Sequence, residues 1–291
     1  MVRVSVLINN RDNAPFLREC VESVLGQTRQ AEEVIVFDDG SVDGSGEILA
    51  GYGAAIRVLK GTGGDGTPMQ NQGRAIEAAF AASTGEFIFL LDADDAYGPR
   101  HVAEYLRAFE RSGNVIMVQA PLWKIDADGH GLGCEYDERR HATDYLKHIY
   151  ATHEVNIYYP TSSLAFRRRY LEARLPLADD DGLALWPDAR LALIAPHFGD
   201  VVTLEEPQTF WRRHPRSHTV ASKVSVYEQV RMNRVYYNRF CARAGLPLVR
   251  SWRSPQHLKR WLRHICPPRL LDSYQFLTGG ARRPPARGLN G

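Results

Sequence analysis

Short apolar runs alternate with amphipathic helical stretches through the first third of this 291-residue chain, and that alternation restricts the fold more than any other feature. "RVSVLI" (3–8) reads as a strand, and "PFLRECVESVL" (15–25) sets Phe16, Leu17, Cys20, Val21, Val24 and Leu25 on one helical stripe. "EVIVF" (33–37), "AIRVL" (55–59) and "EFIFLL" (86–91) read as further strands. Between them lie a short helix, "SGEILAGY", and a helix from about Asn71 to Ser83 that follows the glycine-rich "KGTGGDGT". Such alternation implies right-handed βαβ units and a mostly parallel sheet with helices on both faces. Ligands of such sheets gather beyond the carboxyl ends of the strands.

The middle of the chain is less regular. A helix is expected over 99–112, then the strand "VIMVQA" and a polar segment to about His153. "SLAF" and "DVVTLE" read as strands, "RRRYLEARL" and "DARLALIAP" as helices, and a longer helix runs from Val224 to about Cys241. At 44% hydrophobic and 24% charged, the chain can bury a full core. "MVRVSVLI" lacks the features of a secretory signal, and no run of about 18 uncharged apolar residues predicts a spanning helix. Four widely spaced cysteines without a C-x-x-C pair argue against a disulfide framework or zinc site, so reduced thiols in a cytoplasm are expected. The net charge of +2 conceals an asymmetry: from Arg250 onward nine Lys or Arg face one acid, Asp272, which leaves −6 on the remainder.

Acidic residues cluster where two of these strands end, in "VFDDGSVDGSGEIL" and "LLDADDAYGP". An ionised carboxylate closing a buried strand must be paired, solvated or bound to metal. Asp92 and Asp94 could share one hard cation, Mg²⁺ or Mn²⁺, with a ligand phosphate, or they could belong to a solvated turn in which Asp95 caps the next helix. Asp39 could accept hydrogen bonds from a nucleobase imide or a ribose hydroxyl, while Ser41 or Asp43 caps the following helix.

Together "SVLINNRDNAPFLRECVESVLGQT", "EVIVFDDGSVDGSGEIL", "ASTGEFIFLLDADDAYGP" and "DARLALIAPHFGDVVTLEEPQTFWRRH" resemble, in order and spacing, the family-2 glycosyltransferases with the GT-A fold. The resemblance covers about residues 3–215. It implies an α/β, Rossmann-like sheet flanked by helices, with a nucleotide-binding half over about 1–120 and an acceptor-binding half over 121–215. A basic helical extension with a disordered end would occupy 216–291. The implied reaction is inverting transfer of a sugar from a nucleoside diphosphate, UDP favoured, to an acceptor hydroxyl, assisted by Mn²⁺ or Mg²⁺. By the same resemblance Asp39, with Ile8 and Asn10, would hold the base. Asp92 would lie by the ribose with Ala93 also in the nucleotide site, Asp94 and His214 on the metal, and Arg212 on the diphosphate. Ser162 and Ser163 would form the acceptor floor, and Asp188 would be the general base, with Asp179, Asp180 and Asp181 as rivals. Residue by residue, Asp188 could equally be a carboxylate stabilised at a helix N-terminus.

The chain departs from the family pattern at Arg11-Asp12, where a Tyr-Asn pair is usual, at Glu77, where Asn is usual, and at Pro187 before the base. The acceptor would be a glycan, a lipid-linked or a small molecule, with no nucleic acid. "PQHLKRWLRHIC" would form a basic amphipathic helix able to lie on the inner face of a membrane. A catalytically silent nucleotide-binding protein and a phosphatase of the haloacid dehalogenase type are the alternatives.

Overall fold

Near-continuous runs of buried residues make the central strands, as a sheet covered on both faces requires. In a computed structural model, which describes residues 2–64, 66–177, 183, 185–217 and 224–250, β1 (Val4–Asn10), β2 (Glu33–Asp38), β3 (Arg57–Lys60) and β4 (Phe87–Asp92) run parallel, with β1 between β2 and β4. Beyond β4 lie β9 (Ala165–Arg167), antiparallel to both its neighbours, then β6 (Val115–Gln119) and β10 (Asp200–Thr203), giving the order β10-β6-β9-β4-β1-β2-β3.

Alternate side chains separate onto two cores. Leu7, Ile35, Ile88 and Leu90 join one with α3 (Pro68–Ala82), α5 (Tyr145–Thr152), α7 (Pro187–Ile194) and α8 (Val226–Arg243). Val6, Ile8, Val36, Phe89 and Leu91 join the other with α1 (Ala14–Leu25), α2 (Ser45–Ala50) and α4 (His101–Glu110). α6 (Arg168–Glu172) continues from β9.

Three differences from the sequence reading bear on the site. First, α3 starts at Pro68, a turn before Asn71, because Thr67 and Gln70 form a reciprocal capping box. Second, the segment read as polar and irregular holds β7 (Leu122–Ile125), β8 (Gly131–Glu135) and α5. With β5 (Ala96–Tyr97) and β11 (Thr209–Arg212) these strands make a second sheet, ordered β5-β11-β7-β8. Third, α8 packs on α7 and buries Tyr237 and Cys241, so residues 224–249 pack with the body; the chain divides at Val249/Arg250. The amphipathic helix expected in the basic tail lies outside the described residues. Cys20, Cys134 and Cys241 are free thiols.

The start of α4 holds a titratable group buried among aromatic rings. His101 is fully buried, stacked between Tyr97 and Tyr105 at ring separations of 3.7 and 4.0 Å, with Nδ1 3.0 Å from the Gln208 carbonyl. A carbonyl only accepts, so Nδ1 carries the proton and Nε2 has no partner. Burial depresses its pKa to about 3. The unfolded chain takes up this proton as pH falls below about 6.5, whereas the folded chain does not. His101 therefore removes stability between pH 6.5 and 3, at up to about 1.4 kcal/mol per pH unit. In urea unfolding, the difference between wild type and His101→Phe is expected to shift in favour of the variant as pH drops from 7 to 5.

Candidate active site

Strand register brings the acidic clusters level. Asn9 pairs with Phe37 on one side and Asp92 on the other, and Asn10 pairs with Asp38, so β1, β2 and β4 end together at one edge of the sheet. Over that edge opens a cleft of about 1070 Å³, reached from the strand ends, α3, α7, β11 and α8.

At the β2 end, Asp38 is an internal strut: Oδ1 accepts from Asn10 Nδ2 at 2.8 Å and from the Ser41 hydroxyl. Asp39 is the carboxylate lining the cleft, bonded by the Gly63 N–H at 3.2 Å and by Arg11 Nη1 at 3.3 Å. Gly40 closes this turn at φ +66°, and a Cβ there would come within 2.6 Å of Gly63 N, which is how the glycine-rich segment comes to lie against Asp39. Asp43 bonds the N–H of Ser45 in the first turn of α2.

At the β4 end the three aspartates are divided among different tasks. Asp95 is buried, accepting the Ser162 hydroxyl at 2.5 Å and the Arg212 N–H at 2.8 Å, and burial with the neighbouring Asp94 and Asp92 charges pushes its pKa up. It is a brace between the two sheets. Asp94 turns into the cleft, where Oδ2 meets His214 Nε2 at 3.0 Å; the imidazole is held against Phe16 at 4.8 Å. Asp92 Oδ1 accepts from Gln72 Nε2 at 2.9 Å and more distantly from Asn9 Nδ2 at 3.4 Å. The low-dielectric cleft floor, then the charges of Asp94 and Asp188, raise Asp92 to about 7.

This donor set suits a divalent cation. Two carboxylates and an imidazole are hard to intermediate ligands, and the crowding that raises Asp92 is what a cation would relieve. Asp94 and His214 are preassembled; Asp92 stands outside their immediate reach. Among the described residues, the ligand atoms that all lie within 4.8 Å of one another belong instead to Asp126, Asp128 and His130 in the β7–β8 hairpin. There Asp126 Oδ1 accepts the N–H groups of Asp128 and His130 at 2.9 and 2.8 Å, the pattern of a self-bonded polar turn.

Asp188 heads α7 at the far wall. Oδ2 accepts the Thr161 hydroxyl at 3.0 Å and Oδ1 its own helix's Ala189 N–H at 2.7 Å; burial raises its pKa against these bonds. Gln72 reaches Thr161 at 3.5 Å as well as Asp92, so one amide links the two carboxylates across the cleft. Asp179, Asp180 and Asp181 lie outside the described residues.

Four expected site residues are placed differently by the structure. Ser162 and Ser163 are fully buried and do not line the cleft: Ser162 bridges Asp95 and the Asp92 N–H, and Ser163 exchanges hydrogen bonds with the Ala120 backbone. Thr161 is the residue of that turn that faces the cleft. Ser162→Ala is therefore expected to lower unfolding stability by about 1–3 kcal/mol, by leaving buried partners unmatched, without altering acceptor KM. Ile8 is buried within the sheet and does not line the cleft, whereas its neighbours Asn9 and Asn10 do. Arg212 borders the cleft, but its guanidinium is engaged by Glu19 at 2.5 Å and by the carbonyls of Asp94, Asp126 and Ala127, over the Phe16 ring. That arrangement holds the Asp94 turn in place. Ala93 lines the cleft.

Gln72 was not picked out by the sequence reading, which weighed Glu77 instead; Glu77 bonds the Leu177 N–H at 2.7 Å, away from the cleft. The usable signal was "TPMQ": recognised as a capping box, it starts α3 at Pro68 and brings Gln72 to the strand ends.

An α/β sheet with this edge and this cleft is the GT-A arrangement. The profile described as glycosyl transferase family 2 matches residues 5–175, and the chain belongs to that family. An uncharacterised glycosyltransferase of Nostoc sp. is 28% identical over 256 residues, covering 84% of this chain and 77% of the relative. The uncharacterised glycosyltransferase EpsJ of Bacillus subtilis is 25% identical across 97% of this chain and 87% of its own length. Among solved structures, S. aureus TarS 1–349 in complex with UDP-GlcNAc superposes with a TM-score of 0.56 at 16% identity over 81% of this chain. The chain spans 65% of that fragment. The mannosyltransferase PcManGT of Pyrobaculum calidifontis, in complex with GDP-Man and Mn²⁺, gives 0.54 at 18% identity, covering 96% of this chain and 76% of its own. At those identities the likeness is one of fold, and the family places the chain among transferases rather than phosphatases.

Proposed function

We propose that the chain transfers a sugar from a nucleoside diphosphate, UDP favoured, to an acceptor hydroxyl with inversion at the anomeric carbon. The observation that carries this reading is the opening of Asp39, Asp92, Asp94 with His214, and Asp188 into one cleft from four different elements. Asp39 would accept the imide N–H of the base once Arg11 turns aside, and Asp92 would accept from the ribose. Asp94 and His214 would hold Mn²⁺ or Mg²⁺, which when bound supplies positive charge to the departing diphosphate.

Asp188 is suited to take the acceptor's proton. Its raised pKa, caused by burial, makes it a stronger base than an exposed carboxylate. A base across the cleft from the leaving group supports direct displacement, with no covalent intermediate.

No helix among the described residues is long and apolar enough to cross a membrane. A cytoplasmic enzyme whose basic tail touches the inner membrane face is part of the same proposal, resting on the nine basic residues from Arg250 onward. The test is nucleotide release from a panel of UDP-, GDP- and dTDP-sugars with Mn²⁺. Turnover of at least one donor is expected. Nucleotide binding without turnover of any would leave the catalytically silent alternative standing.

A further inference from the structure

Two of the arginines bordering the cleft are already engaged: Arg11 with Asp39, Arg212 with Glu19 and three carbonyls. Arg140 is different. It lines the same cleft with its side chain only 17% exposed, yet its Nε and Nη1 have no hydrogen-bond partner. Among the described residues its ion-pair partner is Asp137, 3.5 Å from Nε, and that carboxylate is already clasped by Arg139 through Nε at 2.8 Å and Nη2 at 2.6 Å.

The side chain is nonetheless held in position. Its guanidinium lies 4.5 Å over the Tyr159 ring, and its carbonyl accepts hydroxyls from both Tyr145 and Thr203. A charged group so desolvated, with two of its nitrogens lacking a hydrogen bond, is costly to keep unless something completes it. Nη2 shares one edge of the guanidinium with Nε and the other with Nη1, and either edge matches two oxygens of a phosphate or carboxylate.

The surroundings place this fork at the acceptor end. Tyr158, Asn156 and Asn233 line the same wall; Asn233 Nδ2 bonds the Tyr158 hydroxyl at 3.0 Å, which leaves that hydroxyl's proton free to be donated. Burial raises the Tyr158 pKa, the nearby Asp188 charge raises it further, and the nearby Arg140 charge opposes this, so the phenol has both groups as neighbours.

We infer that the acceptor carries an oxyanion, a phosphate or a carboxylate, which Arg140 binds in bidentate fashion while Tyr158 donates to it, so that the hydroxyl to be glycosylated lies toward Asp188. This rests on the transferase reading above and adds the acceptor's chemical class to it.

The test is calorimetric titration of the full chain, saturated with UDP and Mn²⁺ so that the donor's phosphate subsite is filled. The probes are glycerol 3-phosphate, the short-chain lipid dioctanoyl phosphatidate, and neutral glycerol. One or both phosphates should bind and glycerol should not; the tighter of the two tells a soluble from a lipid-borne acceptor. Arg140→Gln should weaken phosphate binding about 10- to 100-fold, the worth of a charge-assisted pair, and Arg140→Lys by less. UDP affinity, measured separately, reports that each variant is folded. Glycerol binding as well as glycerol 3-phosphate, or phosphate affinity unchanged in Arg140→Gln, would overturn the inference. Failure of the wild type to bind UDP would instead overturn the transferase reading; the phosphate titrations, repeated without nucleotide, would still judge Arg140.

Discussion

Asp94→Ala is expected to lower metal-stimulated nucleotide release by about three orders of magnitude, since charge stabilisation at a departing diphosphate is worth several kcal/mol and about 4 kcal/mol is a thousandfold. The protein should stay folded. The Asp94 side chain is partly exposed, and the turn it sits in is held through its carbonyl by Arg212 and through Asp95 by Ser162 and the Arg212 N–H, none of which the substitution removes. His214→Ala should act in the same direction with a smaller loss, because a neutral imidazole contributes no charge and Asp94 remains. A dose-response against Mn²⁺ separates the cases: in Asp94→Ala the activity left should no longer rise with metal. Metal-dependent turnover at the wild-type level in that variant would remove Asp94 and His214 from the assignment.

The parts of this site legible in the sequence are those where chain neighbours do the work. Asp39 and Asp92 follow from two apolar runs that stop at carboxylates, and parallel pairing then carries both to one edge. The division among Asp92, Asp94 and Asp95 was not legible. It depends on which of three adjacent carboxylates turns inward, and that is decided by Ser162 and Arg212, 67 and 117 residues further along the chain. The same limit explains the assignment of Ser162 and Ser163 to the acceptor. Hydroxyls at a turn look available in a sequence, and only the packing of β4 against that turn shows them facing inward.

The second sheet escaped for another reason. β8, "GLGCE", is largely exposed and carries two glycines, and β5 is two residues long, so neither shows an apolar period to detect. Yet β11 of that sheet delivers Arg212, and the loop after it His214, to the turn that ends β4. Arg140 is the sharpest case. In sequence it is one of two adjacent arginines beside an acid, and only the structure shows that Arg139 takes the hydrogen bonds of Asp137 and leaves Arg140 Nε and Nη1 without any.

Asp188→Asn should cut transfer to acceptor by about 10²- to 10⁴-fold, the range of a general base, while leaving donor affinity nearly unchanged. Asparagine retains the shape: its Oδ1 can still accept the Ala189 N–H and its Nδ2 can donate to the Thr161 hydroxyl oxygen, so the start of α7 and the Gln72–Thr161 link across the cleft persist. What is lost is the capacity to hold a proton. Two observations distinguish this from a merely structural effect. Release of nucleotide to water, which needs no acceptor hydroxyl held against Asp188, should fall less than transfer does. The wild-type pH profile of kcat/KM should also show an acid limb above the ordinary carboxylate range, because burial raises the Asp188 pKa, and that limb should vanish in the variant. A helix-end carboxylate with no part in chemistry would leave the profile's shape unchanged and lower hydrolysis and transfer together. A variant that transfers sugar at the wild-type rate would return the role of base to the aspartates at 179–181.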